Sequence, residues 1–439
     1  MNIKAVWQAQ LRAATPAQMA GGLVALALLV FPALVLVTGG GTALVSFALL
    51  FAALGMGRGA RAVLLRDWPA VRWVVLALLA NFLYALLGFA LRPEEHANVL
   101  ERPGRMLLAL SAMLVVRACR PSSAALRRGL VVGACAGLVF VSYQRFGLHL
   151  DRPGGLINSI TFGDISLCFG LMALAWAATV ERTRLVWWPA FGALAALAGM
   201  LVTGTRGGLV ALLFAGVIFF CYRRLVRARL VRALAALAIA LLVLTYCVPQ
   251  TGMRGRIAEA VANVDQYFKG GSAYTNVGIR LELWKGAVML VQERPWFGLG
   301  IEASRERMAQ LVAEGRLDAV TLEPSHVHND MLQRLVTGGV PGLLVWAATL
   351  LAPLLFFTGQ LRRAAQPGRV RGREPGREQI ALGLAGVLLV ACYFSFGLTE
   401  VIFWSLRSCI FYATMVFILM GLCLNAADAG APAHAGPRE

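Results

Sequence analysis

Two of the chain's five histidines, His326 and His328, lie in the segment Ser325–Asp330, immediately before an apolar run. A neutral imidazole can take a proton from a hydroxyl group near neutral pH, so either residue could act as a general base. Residues two apart point to opposite faces of a strand, or lie about 200° apart on a helix, which argues against a shared metal ion. No Cys or His-Glu-x-x-His pattern supports one either. The alternative is that both histidines anchor a helix end at a membrane surface.

Arginines at three connections could bind phosphate. Arg206 lies in the glycine-rich segment Thr203–Gly208, Arg280 lies on a predicted helix, and Arg152 begins the sequence Arg-Pro-Gly-Gly. A guanidinium matches phosphate oxygens in a bidentate manner, so a diphosphate leaving group would require such residues. The alternative for each arginine alone is an interaction with lipid phosphates at the membrane surface. Three arginines on one predicted outer face favour a binding role.

Polar residues also interrupt two apolar segments. Asp164 lies near the start of one, and Glu400 and Arg407 lie around the start of the last. An acid within a membrane is costly and usually has a partner or a function. Asp164 is therefore a secondary site candidate, with a helix-packing acid paired to an arginine as the alternative.

The rest of the chain predicts what must position these residues. Of 439 residues, 59% are hydrophobic and 14% are charged. A soluble domain cannot bury so much apolar surface, so we expect an all-α integral membrane protein. A span needs roughly 20 apolar residues, and the sequence predicts about 12 transmembrane helices. The predicted segments are 18–38, 41–57, 73–91, 104–118, 129–147, 159–180, 185–203, 208–222, 230–248, 337–358, 379–398 and 402–424.

Charge predicts the orientation of these spans. The connections 58–72, 117–128, 223–232 and 359–378 are rich in arginine, and short connections of this kind stay in the cytoplasm. Both termini are therefore predicted to be cytoplasmic. The net charge of +19 is scattered between apolar spans, which favours contact with anionic membrane lipids and argues against nucleic-acid binding. All eight cysteines lie in or beside apolar stretches, so no disulfide framework is expected.

The chain is predicted to have three parts. Residues 1–248 contain transmembrane helices 1–9, residues 249–335 form a large outward-facing loop, and residues 336–439 contain helices 10–12 and a cytoplasmic tail. Helical spacing of apolar residues predicts that the loop folds into helices over Met253–Phe268, Gly278–Gln292 and about 302–314. Proline and glycine in Arg294–Gly300 predict a turn.

These residues together resemble the bacterial O-antigen ligase family, which shares its membrane domain with O-antigen polymerases and some protein O-oligosaccharyltransferases. The ligase signature is His, then Asn, Ser or Gln, then nine residues and Gly-x-x-Gly, and His328, Asn329 and Gly339–Gly342 fit it. The run Gly278–Gly300 resembles the family's Arg…Trp…Pro-x-x-Gly-x-Gly pattern. Thr203–Gly208 and Arg152–Gly163 resemble two further motifs.

The resemblance implies a GT-C-like glycosyltransferase architecture with a periplasmic active site in the bacterial inner membrane. It implies inverting transfer without a metal or another cofactor. The donor would be undecaprenyl diphosphate-linked O-antigen and the acceptor lipid A–core oligosaccharide. By the same resemblance His328 is the base, and Arg280 and Arg206 hold the diphosphate. Arg152 and Asn329 are weaker candidates, and His326 is a secondary one.

Other functions fit parts of this pattern. An O-antigen polymerase would use another lipid-linked repeat unit as its acceptor, and a protein O-oligosaccharyltransferase would use a protein hydroxyl. A secondary transporter would also suit twelve spans, although transporters usually contain internal repeats and none is evident in this sequence.

Overall fold

The chain is almost entirely helical in the computed structural model, which describes residues 16–179, 183–205, 207–247, 253–365 and 374–430. Helix accounts for 81% of it, and these ranges contain no strand. The prediction of an all-α polytopic membrane protein is confirmed. The α-helices are Pro16–Val37, Gly41–Gly55, Arg58–Leu91, Glu101–Leu108, Leu110–Cys119, Ser123–Ser142, Ser159–Thr179, Thr183–Val202, Gly208–Cys221, Ala228–Cys247, Met253–Phe268, Gly278–Glu293, Ile301–Ala313, Asp330–Ala364, Glu374–Gly397 and Leu406–Ala429.

Seven helices in the described ranges are long and apolar enough to cross a membrane, and three shorter apolar helices accompany them. These ten coincide with ten of the predicted spans. The predicted span 104–118 is divided between Glu101–Leu108 and Leu110–Cys119, and the predicted span 230–248 falls in Ala228–Cys247. The arginine-rich connection 58–72 is itself helical, because few of its residues break a helix, and it extends the third predicted span to a helix of 34 residues.

The core is formed by the helices Ser159–Thr179, Glu374–Gly397 and Leu406–Ala429, whose side chains are buried on nearly all sides. Helices that are apolar all round suit this central position. Tyr393 packs against Tyr412 with ring centroids 4.6 Å apart, and Phe403 lies 5.3 Å from Tyr412. This aromatic contact supports the loop that carries Glu400.

One cluster of ion pairs joins residues that were all predicted to be cytoplasmic. Arg117 donates to Asp67 at 2.6 Å and to Asp428 at 2.9 Å, which joins two predicted cytoplasmic connections and the C-terminal tail. His328, Arg280 and Arg152, predicted to face outward, line one cavity, and Asp67, Arg117 and Asp428 do not line it.

The loop between Ala228–Cys247 and Asp330–Ala364 folds into helices as predicted, with bounds within one residue of those expected. Its Pro295–Gly300 turn is held by main-chain hydrogen bonds to a break at Gly339, where φ is 60°. Leu299 N donates to Val336 O at 2.8 Å, and Val340 N donates to Pro295 O at 3.0 Å. We call this arrangement the main-chain clasp. It satisfies backbone groups that the helix break leaves free.

Candidate functional site

The backbone around His328 is held in an uncommon conformation. His328 has a φ of 52°, the left-handed region that non-glycine residues rarely adopt and that is often found at functional sites. On one side Trp284 donates from its indole nitrogen to Val327 O at 3.0 Å. On the other side Asn329 caps the next helix by accepting from Leu332 N at 3.0 Å. These contacts fix the direction of the imidazole.

His328 pairs with a carboxylate that lies 72 residues further along the chain. Its Nδ1 is 3.0 Å from Glu400 Oε2 and 3.2 Å from Oε1. Asn329 strengthens the pairing, because its amide donates to Leu398 O at 3.1 Å and so ties the Glu400 loop to the start of the helix. Glu400 is 3% exposed, so water screens this pair little.

The pKa of Glu400 indicates an ionised carboxylate beside His328. Burial raises the pKa of Glu400, but the hydrogen bond with His328 and the electrostatic interactions with the two imidazoles outweigh it and bring the pKa below its ordinary value. An ionised carboxylate can only accept, so the His328 Nδ1 carries a hydrogen, and in a neutral imidazole Nε2 then has the free lone pair. This tautomer is the one that a general base requires.

The expectation that His326 and His328 face apart is wrong. Their ring centroids are 4.5 Å apart, and His326 Nε2 is 3.3 Å from Glu400 Oε1. The left-handed conformation of His328 turns the chain back, which neither regular strand nor helix geometry would do. Burial lowers the pKa of His326 to about 4, despite the opposing Glu400 charge, so this ring is neutral at pH 7.

The same three residues could hold a cation. The ligand atoms of His326, His328 and Glu400 all lie within 4.8 Å of one another. Two imidazoles and a carboxylate are a donor set that suits zinc. The geometric argument against a metal site therefore fails, and independence from metal stays a prediction that rests on the resemblance.

His328 opens onto a cavity of about 650 Å³ that contains two predicted phosphate ligands. We call it the Arg280 cavity, lined among others by Arg152, Thr205, Arg280, Trp284 and His328. Arg280 is partly buried, and burial lowers its pKa. The negative charge of Glu400 raises this pKa, and the positive charge of Arg152 lowers it further. Neither arginine forms a hydrogen bond or ion pair with another described residue, so both guanidiniums can bind a ligand.

The glycine-rich segment also reaches this cavity. Thr205 donates to Ser159 O at 3.0 Å and shares a 2.7 Å hydrogen bond with Thr203. Arg206 lies outside the described residues, while its neighbours Thr205 and Gly207 both line the cavity. The acids of the lining, Asp151 and Glu259, are exposed at the rim.

Asp164 lies beneath this site and is completely buried. It interacts electrostatically with Glu400 and Arg280, yet neither of its carboxylate oxygens has a hydrogen-bond partner among the residues described. This position keeps Asp164 a secondary candidate.

Sequence reasoning found most of these residues but did not find the role of Glu400. The sequence did contain an indication, because Glu400 lies in an apolar stretch and an acid in such a stretch requires a partner. The neighbouring Arg407 does not supply it, since its guanidinium donates to Val35 O and Gly39 O, at 3.1 and 2.9 Å.

The chain is similar to known proteins over the range that carries most of these residues. Residues 190–347 match the family model described as O-Antigen ligase, a range that includes Arg206, Arg280 and His328 and ends before Glu400. A Haemophilus influenzae protein described as uncharacterized is 23% identical over 301 residues, which cover 65% of this chain and 73% of that protein. An O-antigen ligase of Pseudomonas aeruginosa is 27% identical over 285 residues, 62% of each chain. The match thus spans less than two thirds of the Pseudomonas protein. The predicted resemblance to the O-antigen ligase family is confirmed.

Proposed function

We propose that this chain, which carries an O-antigen ligase domain at residues 190–347, joins O-antigen to lipid A–core oligosaccharide on the periplasmic face of the bacterial inner membrane. The donor is O-antigen on undecaprenyl diphosphate. The observation that carries the proposal is the His328–Glu400 pair, at 3.0 Å, beside a cavity lined by Arg280 and Arg152. A base and two phosphate-binding groups in one cavity are what transfer from a diphosphate ester requires.

The reaction follows from these positions. His328 Nε2 takes the proton of an acceptor hydroxyl while its oxygen attacks the anomeric carbon of the donor sugar. The bond from that carbon to the diphosphate oxygen breaks, and undecaprenyl diphosphate leaves with the electron pair. Attack opposite the leaving group inverts the anomeric centre. A positioned base contributes about 10²–10⁴-fold to such a step.

The arginines supply the electrostatic part. Negative charge develops on the diphosphate as the bond breaks, and the guanidiniums of Arg280 and Arg152, which line the same cavity, would stabilise it. We assign the same role to Arg206, on its motif and on the position of its neighbours in the cavity lining. Arginine can supply this charge without a metal, in line with the metal-independent mechanism that the resemblance implies.

Lipopolysaccharide from a deletion strain complemented with His328→Ala or Arg280→Ala tests the proposal. Arg316→Ala is the matched control, because Arg316 is exposed on the same loop and away from the cavity. We expect core without O-antigen in the two site variants, together with accumulated polymerised donor, and normal lipopolysaccharide in the control. O-antigen that persists on core would refute these site assignments. Loss of long chains alone would identify a polymerase, and transport without transfer would identify a transporter.

A further inference from the structure

A second cavity lies at the same end of the bundle and shares no lining residue with the Arg280 cavity. It measures about 120 Å³, and we call it the Trp404 cavity, after a lining that includes Tyr84, Arg92, Arg102, Arg334 and Trp404. The residues come from the end of the Arg58–Leu91 helix, from two predicted outer connections, from the start of the Asp330–Ala364 helix and from the loop after Glu400. The proposed reaction uses none of them.

Positive charge dominates this cavity. The Arg102 guanidinium lies 4.5 Å from the ring centroid of Trp404. Within the described ranges Arg102 makes no hydrogen bond or ion pair, and the Nε of Arg334 is buried without a hydrogen-bond partner. Arg92 donates to Phe297 O at 2.6 Å.

Acids offset this charge only in part. Glu95 is the acid of the lining, and one of its oxygens accepts from the backbone nitrogen of Ile301. Asp330 is buried one helical turn before Arg334 and interacts with it electrostatically. The Nε of Arg334 is a buried donor without a protein partner, and this costs free energy unless an anion binds it.

Ring contacts connect this cavity to the proposed base. Trp404 packs edge-on against His326 at 5.6 Å between centroids, and His326 packs in the same way against His328 at 4.5 Å. Val401, which follows Glu400, also lines the cavity. A group bound here would therefore be connected to His328 through the rings of Trp404 and His326.

We propose that the Trp404 cavity binds a phosphate monoester of the acceptor glycolipid and thereby places the acceptor hydroxyl at His328. This inference rests on the proposed function. The phosphate is a dianion, and the guanidiniums of Arg102 and Arg334 would be its principal ligands through bidentate hydrogen bonds. A cavity of about 120 Å³ admits a phosphate but not a sugar chain, so the saccharide itself would extend outside.

The test compares intact and phosphatase-treated lipid A–core as acceptors for purified full-length protein in nanodiscs at saturating donor. We expect the wild-type KM for acceptor to rise about tenfold to hundredfold when the phosphates are removed, in keeping with a lost charge-assisted contact. Arg334→Gln and, separately, Arg102→Gln should raise the KM for intact acceptor similarly and leave the KM for treated acceptor unchanged. Arg316→Gln is the control. An equal wild-type KM for both acceptors would overturn the proposal.

Two further arms separate the remaining outcomes. The first arm measures the KM for acceptor in nanodiscs with and without phosphatidylglycerol. A KM that depends on this lipid and not on the acceptor's phosphates would show that the cavity binds bulk lipid headgroups, and this would overturn the proposal. Direct binding of both acceptors to wild type, measured by native mass spectrometry, does not depend on transfer. Phosphate-dependent binding without any transfer would support the cavity while refuting the ligase function. Phosphate-independent binding with normal transfer would refute the cavity alone.

Discussion

Glutamine at position 400 would keep the size of the side chain and remove the negative charge that faces His328. The imidazole carries a positive charge once it has taken the acceptor's proton, and the carboxylate 3.0 Å away stabilises that state. A hydrogen bond to a charged group contributes about 1.5–3 kcal/mol. The pair is almost completely shielded from water, because the Glu400 side chain is only 4% exposed.

This energy predicts the size of the defect. At 1.36 kcal/mol for each factor of ten, Glu400→Gln should lower kcat about tenfold to hundredfold. The proposed donor ligands are Arg280 and Arg152, in the Arg280 cavity, so the KM for donor should change little. Initial rates of transfer by purified protein in nanodiscs, at varied donor and acceptor, give both constants.

The matched control is Glu306→Gln, the same substitution at an exposed position on a loop helix. It should leave kcat and thermal stability unchanged. A Glu400→Gln variant with kcat within twofold of wild type would refute the assignment of Glu400 to the base. So would a loss of activity that is fully accounted for by a loss of folded protein.

Three further predictions concern the clasp, His326 and metal. Gly298→Ala should lower the melting temperature and reduce the free energy of unfolding by about 1–3 kcal/mol, because φ is 65° and a Cβ would lie 2.6 Å from the backbone at Thr337 and Gly338. Gly315→Ala is the control, with φ 71° and no atom near the new Cβ, and it should reduce the free energy of unfolding by less. Because the folded pKa of His326 is about 4 against an ordinary 6.5, its contribution to stability is present above pH 6.5 and lost as pH falls towards 4, by about 3 kcal/mol. Thermal melts from pH 7 to 4.5 should show a smaller decrease for His326→Gln than for wild type, and parallel curves would contradict this. Transfer in excess EDTA should proceed at the untreated rate, whereas abolition reversed by added zinc would show that His326, His328 and Glu400 hold a required ion.

The sequence predicted the helices and most of the site because both depend on local information. Apolar periodicity located Gly278–Glu293 and its neighbours, and the motif around His328 is contiguous. The pairing of His328 with Glu400 joins residues 72 positions apart and depends on how two loops pack. The convergence of His326 and His328 depends on one left-handed residue, and sequence spacing does not predict a positive φ at a histidine.

The main-chain clasp has a consequence for how the site sits in the bilayer. Because the clasp uses only backbone groups, the side chains of Trp296 and Phe297 take no part in it, and each is 68% exposed. Aromatic residues of this kind prefer the headgroup region and fix the depth of the segment that carries them. The clasp attaches the loop to the bundle, and we expect Trp296 and Phe297 to attach it to the lipid surface. In a bilayer of different thickness these two attachments would pull on the Asp330–Ala364 helix in opposite directions. We expect the helix to bend at Gly339, where its regular conformation is already broken. We therefore expect the acyl-chain length of the lipids to change the height of His328 above the membrane.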